Sequence, residues 1–319
     1  MREIHCKDGA EFLDHLRITN PLWGGQPSWD WGFRGQGNAD WLLLPSAFRP
    51  GAALSYADEK VKAPVPDINE QCWLEYKLIQ HFLFLGDRVG LSVPGDAQHF
   101  RLPPNEENPR GWDQWPRSDI LETLAIAQHH GVPTRLLDIT HNALIAAFFA
   151  ADDARDLKRV GDAKRLGVWA VDLSLVRQAA ALGNARLIHV TVPRAANSFL
   201  HHQDGLFLLD REASKRWGEL GRFETMDEVV DGIWRWVERA ETDEQHYYRQ
   251  FPASPMVKVT APVGEAMEIL DLLDREFYNR GRIMPTHDNV VKTLEFLRSL
   301  NTHRRNRGSL PAVTLGPKY

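Results

Sequence analysis

Residues 127–151 limit what this chain can fold into more than any other stretch. One helix must end here, a strand must follow, and a second helix must begin, all within a short run. The run is Ala127-Gln128-His129-His130-Gly131-Val132-Pro133-Thr134-Arg135-Leu136-Leu137-Asp138-Ile139-Thr140-His141-Asn142, continuing to Ala151. Upstream, Ser118 is a candidate N-cap, Asp119 and Glu122 fall in the first helical turn, and Ile120, Leu121 and Leu124 have helical apolar spacing. Gly131 suits the left-handed position just past a helix end, and Pro133 bars continuation. Thr134 to Thr140 then alternates as a strand, with Thr134, Leu136, Asp138 and Thr140 on one face and Arg135, Leu137 and Ile139 on the other. His141 to Ala151 is apolar nearly all round, the pattern of a buried helix. A polar strand end feeding such a helix brings unpaired N–H groups and the positive end of the helix dipole to one place, which suits an anion or a nucleotide. The residues equally allow Arg135 and Asp138 to pair with each other and tie the unit down.

A second stretch runs Trp31-Gly32-Phe33-Arg34-Gly35-Gln36-Gly37-Asn38-Ala39-Asp40-Trp41-Leu42-Leu43-Leu44-Pro45-Ser46-Ala47-Phe48-Arg49-Pro50. It predicts a strand through Phe33 and Arg34, a tight turn over Gly35 to Asn38, and a second strand from Trp41 to Leu44. Gly35 and Gly37 allow a sharp turn or a close approach of backbone to a ligand. An arginine inside an apolar strand needs a partner. Arg34 is therefore either a bidentate clamp on a phosphate or carboxylate, or half of an internal salt bridge with Asp138 as its candidate partner. Asp40, Ser46 and Arg49 read first as turn and pairing residues, and only second as ligands.

The rest of the chain supplies a frame. Helices are expected over 8–18, 69–88, 265–280 and 288–300, and strands over 168–173, 186–192, 206–209 and 256–260. Residues 51–67 and 92–117 read as loop insertions, the first of them mobile. The charged, Trp-rich residues 211–250 read as a cap on the pocket or a helical insert. Together these predict one α+β domain over residues 1–319, with its core over about 25–300 and a mixed or antiparallel central sheet flanked by helices.

At 43% hydrophobic residues, eleven of them tryptophan, the chain can bury a full core. A net charge of -5 argues against a broad nonspecific nucleic-acid surface but leaves room for a local basic site. Cys6 and Cys72 offer neither a disulfide framework nor a cysteine metal site. His201 and His202 point apart on a strand and have no third ligand spaced to join them, so no metal is expected. No apolar run reaches the length of a membrane span, and the first residues lack a signal-peptide core. A reduced, cytoplasmic protein without membrane contact is the expectation. There is no P-loop, dinucleotide glycine fingerprint, zinc-protease helix or nucleophile elbow.

Phe33-Arg34-Gly35-Gln36, followed by Trp41, Leu44, Pro45, Ser46 and Arg49, resembles the signature that names the FRG domain. The resemblance continues through Gln128 to Thr140 and Ala146 to Ala150, and more loosely through Gln203-Asp204-Gly205-Leu206-Phe207 and Arg282-Ile283-Met284-Pro285. The order of elements is similar to that of ADP-ribosyltransferases. In that arrangement a first strand carries an Arg or His that grips the dinucleotide. A second strand carries a hydroxyl residue and runs into a buried helix, and a third carries a Glu that supports the developing charge on the ribose. The resemblance places Arg34 in the first role, Thr140 (or else Thr134) in the second, and Gln203 in the third slot. Gln203 can hydrogen-bond a ribose hydroxyl but lacks the charge of a carboxylate, and Asp204 and Glu212 are the acidic residues near that slot.

The resemblance thus implies catalysis by Arg34, Thr140 and Gln203, with NAD as substrate. Arg34, Gly35, Gln36, His130, Thr134, Arg135, Asp138 and His141 would contact the nucleotide. It implies an effector or toxin, in anti-phage defence or a toxin–antitoxin system, with a nucleic-acid or protein acceptor and a neutralising partner protein. A non-catalytic module using the same pocket to bind a nucleotide or a partner is the alternative. A hydrolase with His129 or His130 as base is a third reading, against which a histidine pair at a helix end more often serves as a cap.

Overall fold

The computed structural model describes residues 1–55, 58, 60–91, 112, 115–192, 198–240 and 254–306. Strand β1 (Arg2–His5) leads into helix α1 (Gly9–Leu16), whose first turn is capped by the Asp8 carboxylate. Strand β2 (Trp31–Gln36) precedes two helices, α2 (Ile68–Arg88) and α3 (Leu121–His129). Next come β3 (Leu137–Thr140), α4 (Ala143–Ala154), α5 (Leu157–Val160), β4 (Arg165–Asp172) and α6 (Leu173–Ala181). They are followed by β5 (Leu187–Val190), α7 (Ser198–His202), β6 (Gly205–Asp210), α8 (Ala213–Leu220) and α9 (Met226–Ala240). Strand β7 (Met256–Pro262) and helices α10 (Ala266–Arg275), α11 (Arg280–Ile283) and α12 (His287–Asn306) close the described chain.

The strands form one mixed sheet in the order β1-β7-β4-β2-β3-β6-β5. β1 runs parallel to β7, and every other neighbouring pair is antiparallel. The fold is α+β. Side-chain alternation sorts the core into layers. Phe33, Val168, Ala170, Val257 and Val259 face one side of the sheet, where α1, α4 and α10 pack on them. Leu136, Phe207 and Leu209 lie, by register, on that same side but on the other half of the sheet, under α2, α3 and α8. The intervening residues Leu137, Ile139, Trp169, Val171, Leu206 and Leu208 face the opposite side and pack on α6 and α9. Two helical packs therefore share one face of the sheet, and the β2–β3 junction lies between them.

Several elements differ from the sequence expectation. β1 is a short edge strand with three of its four residues exposed, so it carries almost no alternation signal. Trp41 to Leu44 is apolar but is not a strand: β2 already has β4 and β3 as neighbours, and Pro45 follows without an N–H to donate. Instead this segment crosses between layers, with Leu43 packed on the α6–α9 side and Ala47 and Phe48 under α2. Thr134 to Leu136 precedes β3 rather than belonging to it. Residues 51–55 and 60–67 turn back on themselves through an Ala53–Lys62 bridge and bury Leu54, Ala63 and Val65. Helices α8 and α9 contribute core residues on both sides of the sheet, and residues 241–250 of that expected insert lie outside the described residues. Most of 92–117 is likewise outside them. Among the described residues, no helix is long and apolar enough to cross a membrane.

Candidate functional site

The β2–β3 ladder is a single pair, Phe33 with Thr140. Beyond it the two strands part, and Arg34 sits in the opening. Its Nη1 donates to the Asp138 carbonyl at 2.8 Å and pairs with the Asp138 carboxylate at 2.7 Å. The internal salt bridge foreseen for Arg34 is thus made. Nε of Arg34 is buried and has no hydrogen-bond partner among the described residues. The guanidinium is held through Nη1, and an orphan buried donor is costly, by about 1–3 kcal/mol.

A cleft of about 1450 Å³ opens at this split. Its floor includes Phe33, Gly35 and Thr140, and α4 contributes Ala146, Phe149, Asp152 and Asp153. Gln203 and Phe207 come from β6 and the turn before it. The segment Trp41 to Pro50 also contributes to the lining, as do Arg280 and Met284. Small-molecule pockets are usually about 300–1,000 Å³, so this one has room for a dinucleotide and part of an acceptor.

Five arginines line the cleft, and four of them face aspartates. Arg34 pairs with Asp138, Arg155 with Asp152 at 3.3 Å, Arg159 with Asp153 at 2.9 Å, and Arg280 also with Asp152. The fifth, Arg49, donates from Nε to the Leu44 carbonyl at 2.9 Å and has no carboxylate partner among the described residues. Burial, together with the neighbouring Arg34 charge, pushes the Arg49 guanidinium below its ordinary value.

Asp138 lines the cleft and keeps 61% of its side chain accessible. Desolvation by the surrounding cleft walls opposes ionisation, but the Arg34 guanidinium outweighs this and holds the carboxyl below its ordinary range. A depressed carboxyl value contributes stability that is present above the unfolded value of about 4 and is lost as pH falls through the folded value. The acid limb of thermal unfolding is therefore expected to be shallower in Asp138→Asn than in the parent below about pH 4. Identical acid limbs would contradict the pairing. His129 also faces the cleft, where burial and then His130 lower its value, so it is neutral at pH 7.

A family model described as the FRG domain matches residues 30–159. Over those residues the chain is similar to the FRG domain. No curated protein and no solved structure matches it. The matched segment holds Arg34, Arg49, Asp138 and Thr140, whereas Gln203 reaches the cleft from beyond it.

Of the site residues expected from sequence, the cleft brings together Arg34, Gly35, Gln36, Asp138, Thr140 and Gln203. Gly35 is there for a different reason than close approach to a ligand. A Cβ on it would lie 1.9 Å from the Ala146 carbonyl oxygen, so the approach it permits is to helix α4. Gln36 is buried and accepts from Trp169 Nε1 at 2.8 Å. The Thr140 hydroxyl is only slightly exposed, donates to the Gln203 carbonyl at 2.7 Å and accepts from Asn142 N at 2.9 Å. It fastens β3, α4 and the turn before β6 together.

The cleft does not include His130, Thr134, Arg135 or His141 among its lining. His130 caps α3 and stacks on Phe82. Thr134 is buried, bonded to Gln128 and Ser46. Arg135 is 2% exposed and pairs with Glu75 of α2, neither with a ligand nor with Asp138. His141 Nδ1 bonds the Trp31 carbonyl at 3.0 Å. The N-terminus of α4 is no open anion site either, because the Asn142 side chain accepts from Leu144 N and Ile145 N. The sequence reads Arg49 as a pairing residue first and a ligand second, and gives Trp41 no role in the site, yet both line the cleft. The signal for Arg49 was the one used for Arg34, an arginine set in an apolar run.

Proposed function

We propose that this cleft is a nucleotide site and that the chain is an NAD-consuming, ADP-ribosyltransferase-like effector or toxin acting on nucleic acid or protein. The observation that supports this is the convergence of Arg34, Thr140 and Gln203, distant in sequence, on one cleft at the β2–β3 split. They come from β2, β3 and the turn before β6, in the chain order that the resemblance to ADP-ribosyltransferases gives the three motifs, with the third residue here just ahead of its strand. NAD supplies the glycosidic bond whose cleavage places positive charge on the ribose. A phosphate taken by Arg34 competes with Asp138 for the guanidinium and turns that carboxylate toward the cleft. Asp138 then provides the negative charge that Gln203 lacks. Gln203 binds a ribose hydroxyl, and Thr140 holds the Gln203 backbone in place.

A second reading, a nucleotide-binding module without turnover, is favoured by the Thr140 hydroxyl, which is already engaged with backbone, and by the neutral third residue. The pure chain incubated with NAD, alone and with RNA, DNA or lysate, separates the two. Released nicotinamide and transferred label are the expected result, falling by roughly 100-fold or more in Arg34→Ala. NAD that raises the melting temperature without nicotinamide release supports the module. Neither effect would overturn both readings.

A further inference from the structure

We infer that Arg49 and Arg34 together form a pyrophosphate grip, so that the cleft selects nucleoside diphosphates and dinucleotides over monophosphates. The inference rests on the cleft being a nucleotide site and adds the residue and the ligand class. Four of the five cleft arginines already face an aspartate, and Arg49 alone does not. Its Nε bond to the Leu44 carbonyl fixes the guanidinium plane and leaves the two terminal nitrogens without a partner among the described residues. Arg34, held through Nη1 and lining the same cleft, is the like charge that acts most strongly on it.

Two guanidiniums brought together in a half-buried cleft repel each other unless an anion lies between them. A single phosphate satisfies one planar fork, whereas a pyrophosphate offers oxygens and charge for two. Among the described residues no aspartate pairs directly with Arg49: Asp138, Asp152 and Asp153 each pair with another arginine and Asp156 caps α5, so Asp138 and Asp153 act on Arg49 only as more distant charges. Trp41 also lines the cleft, with the Arg159 guanidinium 5.9 Å over its ring.

Calorimetric titration of the full chain with ADP and with AMP tests this. The parent is expected to bind ADP at least about 10-fold more tightly than AMP, and Arg49→Gln to lose roughly 10- to 100-fold in ADP affinity with little change for AMP. Arg49→Lys, which keeps the charge without the fork, is expected to fall between them. Equal affinity of the parent for ADP and AMP, no binding of either, or an Arg49→Gln protein that binds ADP like the parent would each overturn the inference. The outcome is separable from NAD turnover. ADP selectivity without nicotinamide release leaves the grip standing and removes the enzyme reading. Turnover with an unchanged KM for NAD in Arg49→Gln does the reverse.

Discussion

Gly35→Ala is expected to destabilise the fold by about 3 kcal/mol or more, because the new methyl group has no space to enter. Its Cβ would lie 1.9 Å from the Ala146 carbonyl oxygen and 2.8 Å from Ala150 N. Both are backbone atoms of α4, so no rotamer change relieves the clash and the helix itself must move. Apart from the side that lines the cleft, that helix is packed, with Ala146, Ala147, Phe148, Ala150 and Ala151 buried between the sheet and α10. Displacing it strips contacts from the whole layer and pulls the cleft wall away from Arg34. Gly218→Ala is the control, since a Cβ there meets nothing within 4 Å on an exposed stretch of α8. It is expected to be neutral or stabilising by up to about 1 kcal/mol. Equilibrium urea unfolding measures both. A Gly35→Ala protein within about 0.5 kcal/mol of the parent would contradict the packing described.

The next largest effect belongs to Arg135. Its guanidinium is enclosed, with Nε and Nη2 on the Glu75 carboxylate, Nη1 on Ser214 Oγ at 2.7 Å and on the Trp115 carbonyl at 3.2 Å, and Nη2 also 2.9 Å from Cys72 Sγ. Glu75 in turn accepts from Trp115 Nε1 at 2.8 Å and from Gln71 Nε2 at 2.9 Å. This network joins α2, α8 and the segment entering β3 inside an otherwise apolar pack. Arg135→Leu leaves a buried carboxylate without its counter-charge, and a loss of about 3–5 kcal/mol is expected. Removing the carboxylate as well, in Arg135→Leu/Glu75→Gln, should recover part of that loss. The coupling read from the four proteins of this cycle is the test. Losses that simply add would mean the two charges are not compensating each other.

The local pattern was legible wherever one residue type meets one geometric demand. Gly131 adopts φ +90°, the left-handed value expected after α3. The apolar run from Ala143 is the buried α4, and the alternation at Leu137 to Thr140 separates cleft from core. What was not legible depends on partners remote in the chain. Nothing near Arg135 reveals that Glu75, one helix away in another part of the sequence, will take its charge. The apolar run at Trp41 to Leu44 satisfies strand propensity, yet β2, the strand it would pair with, already has β4 and β3 as neighbours. The α4 N-terminus looked like an anion site because its free N–H groups are implied by sequence, while the cap that consumes them depends on the Asn142 rotamer. Arg49 was underestimated for the same reason, since its lack of a carboxylate is visible only after the other cleft arginines are seen to be paired.

The central claim is that the β2–β3 split takes the phosphates of a nucleotide through Arg34. Calorimetric titration of NAD into the full chain and into Arg34→Ala, with the fold of the variant checked by its thermal unfolding, tests it most directly. One NAD bound per chain by the parent, and at least about 10-fold weaker binding in a folded Arg34→Ala, is the expected result. Undiminished NAD binding in that variant, or none in the parent, would contradict it.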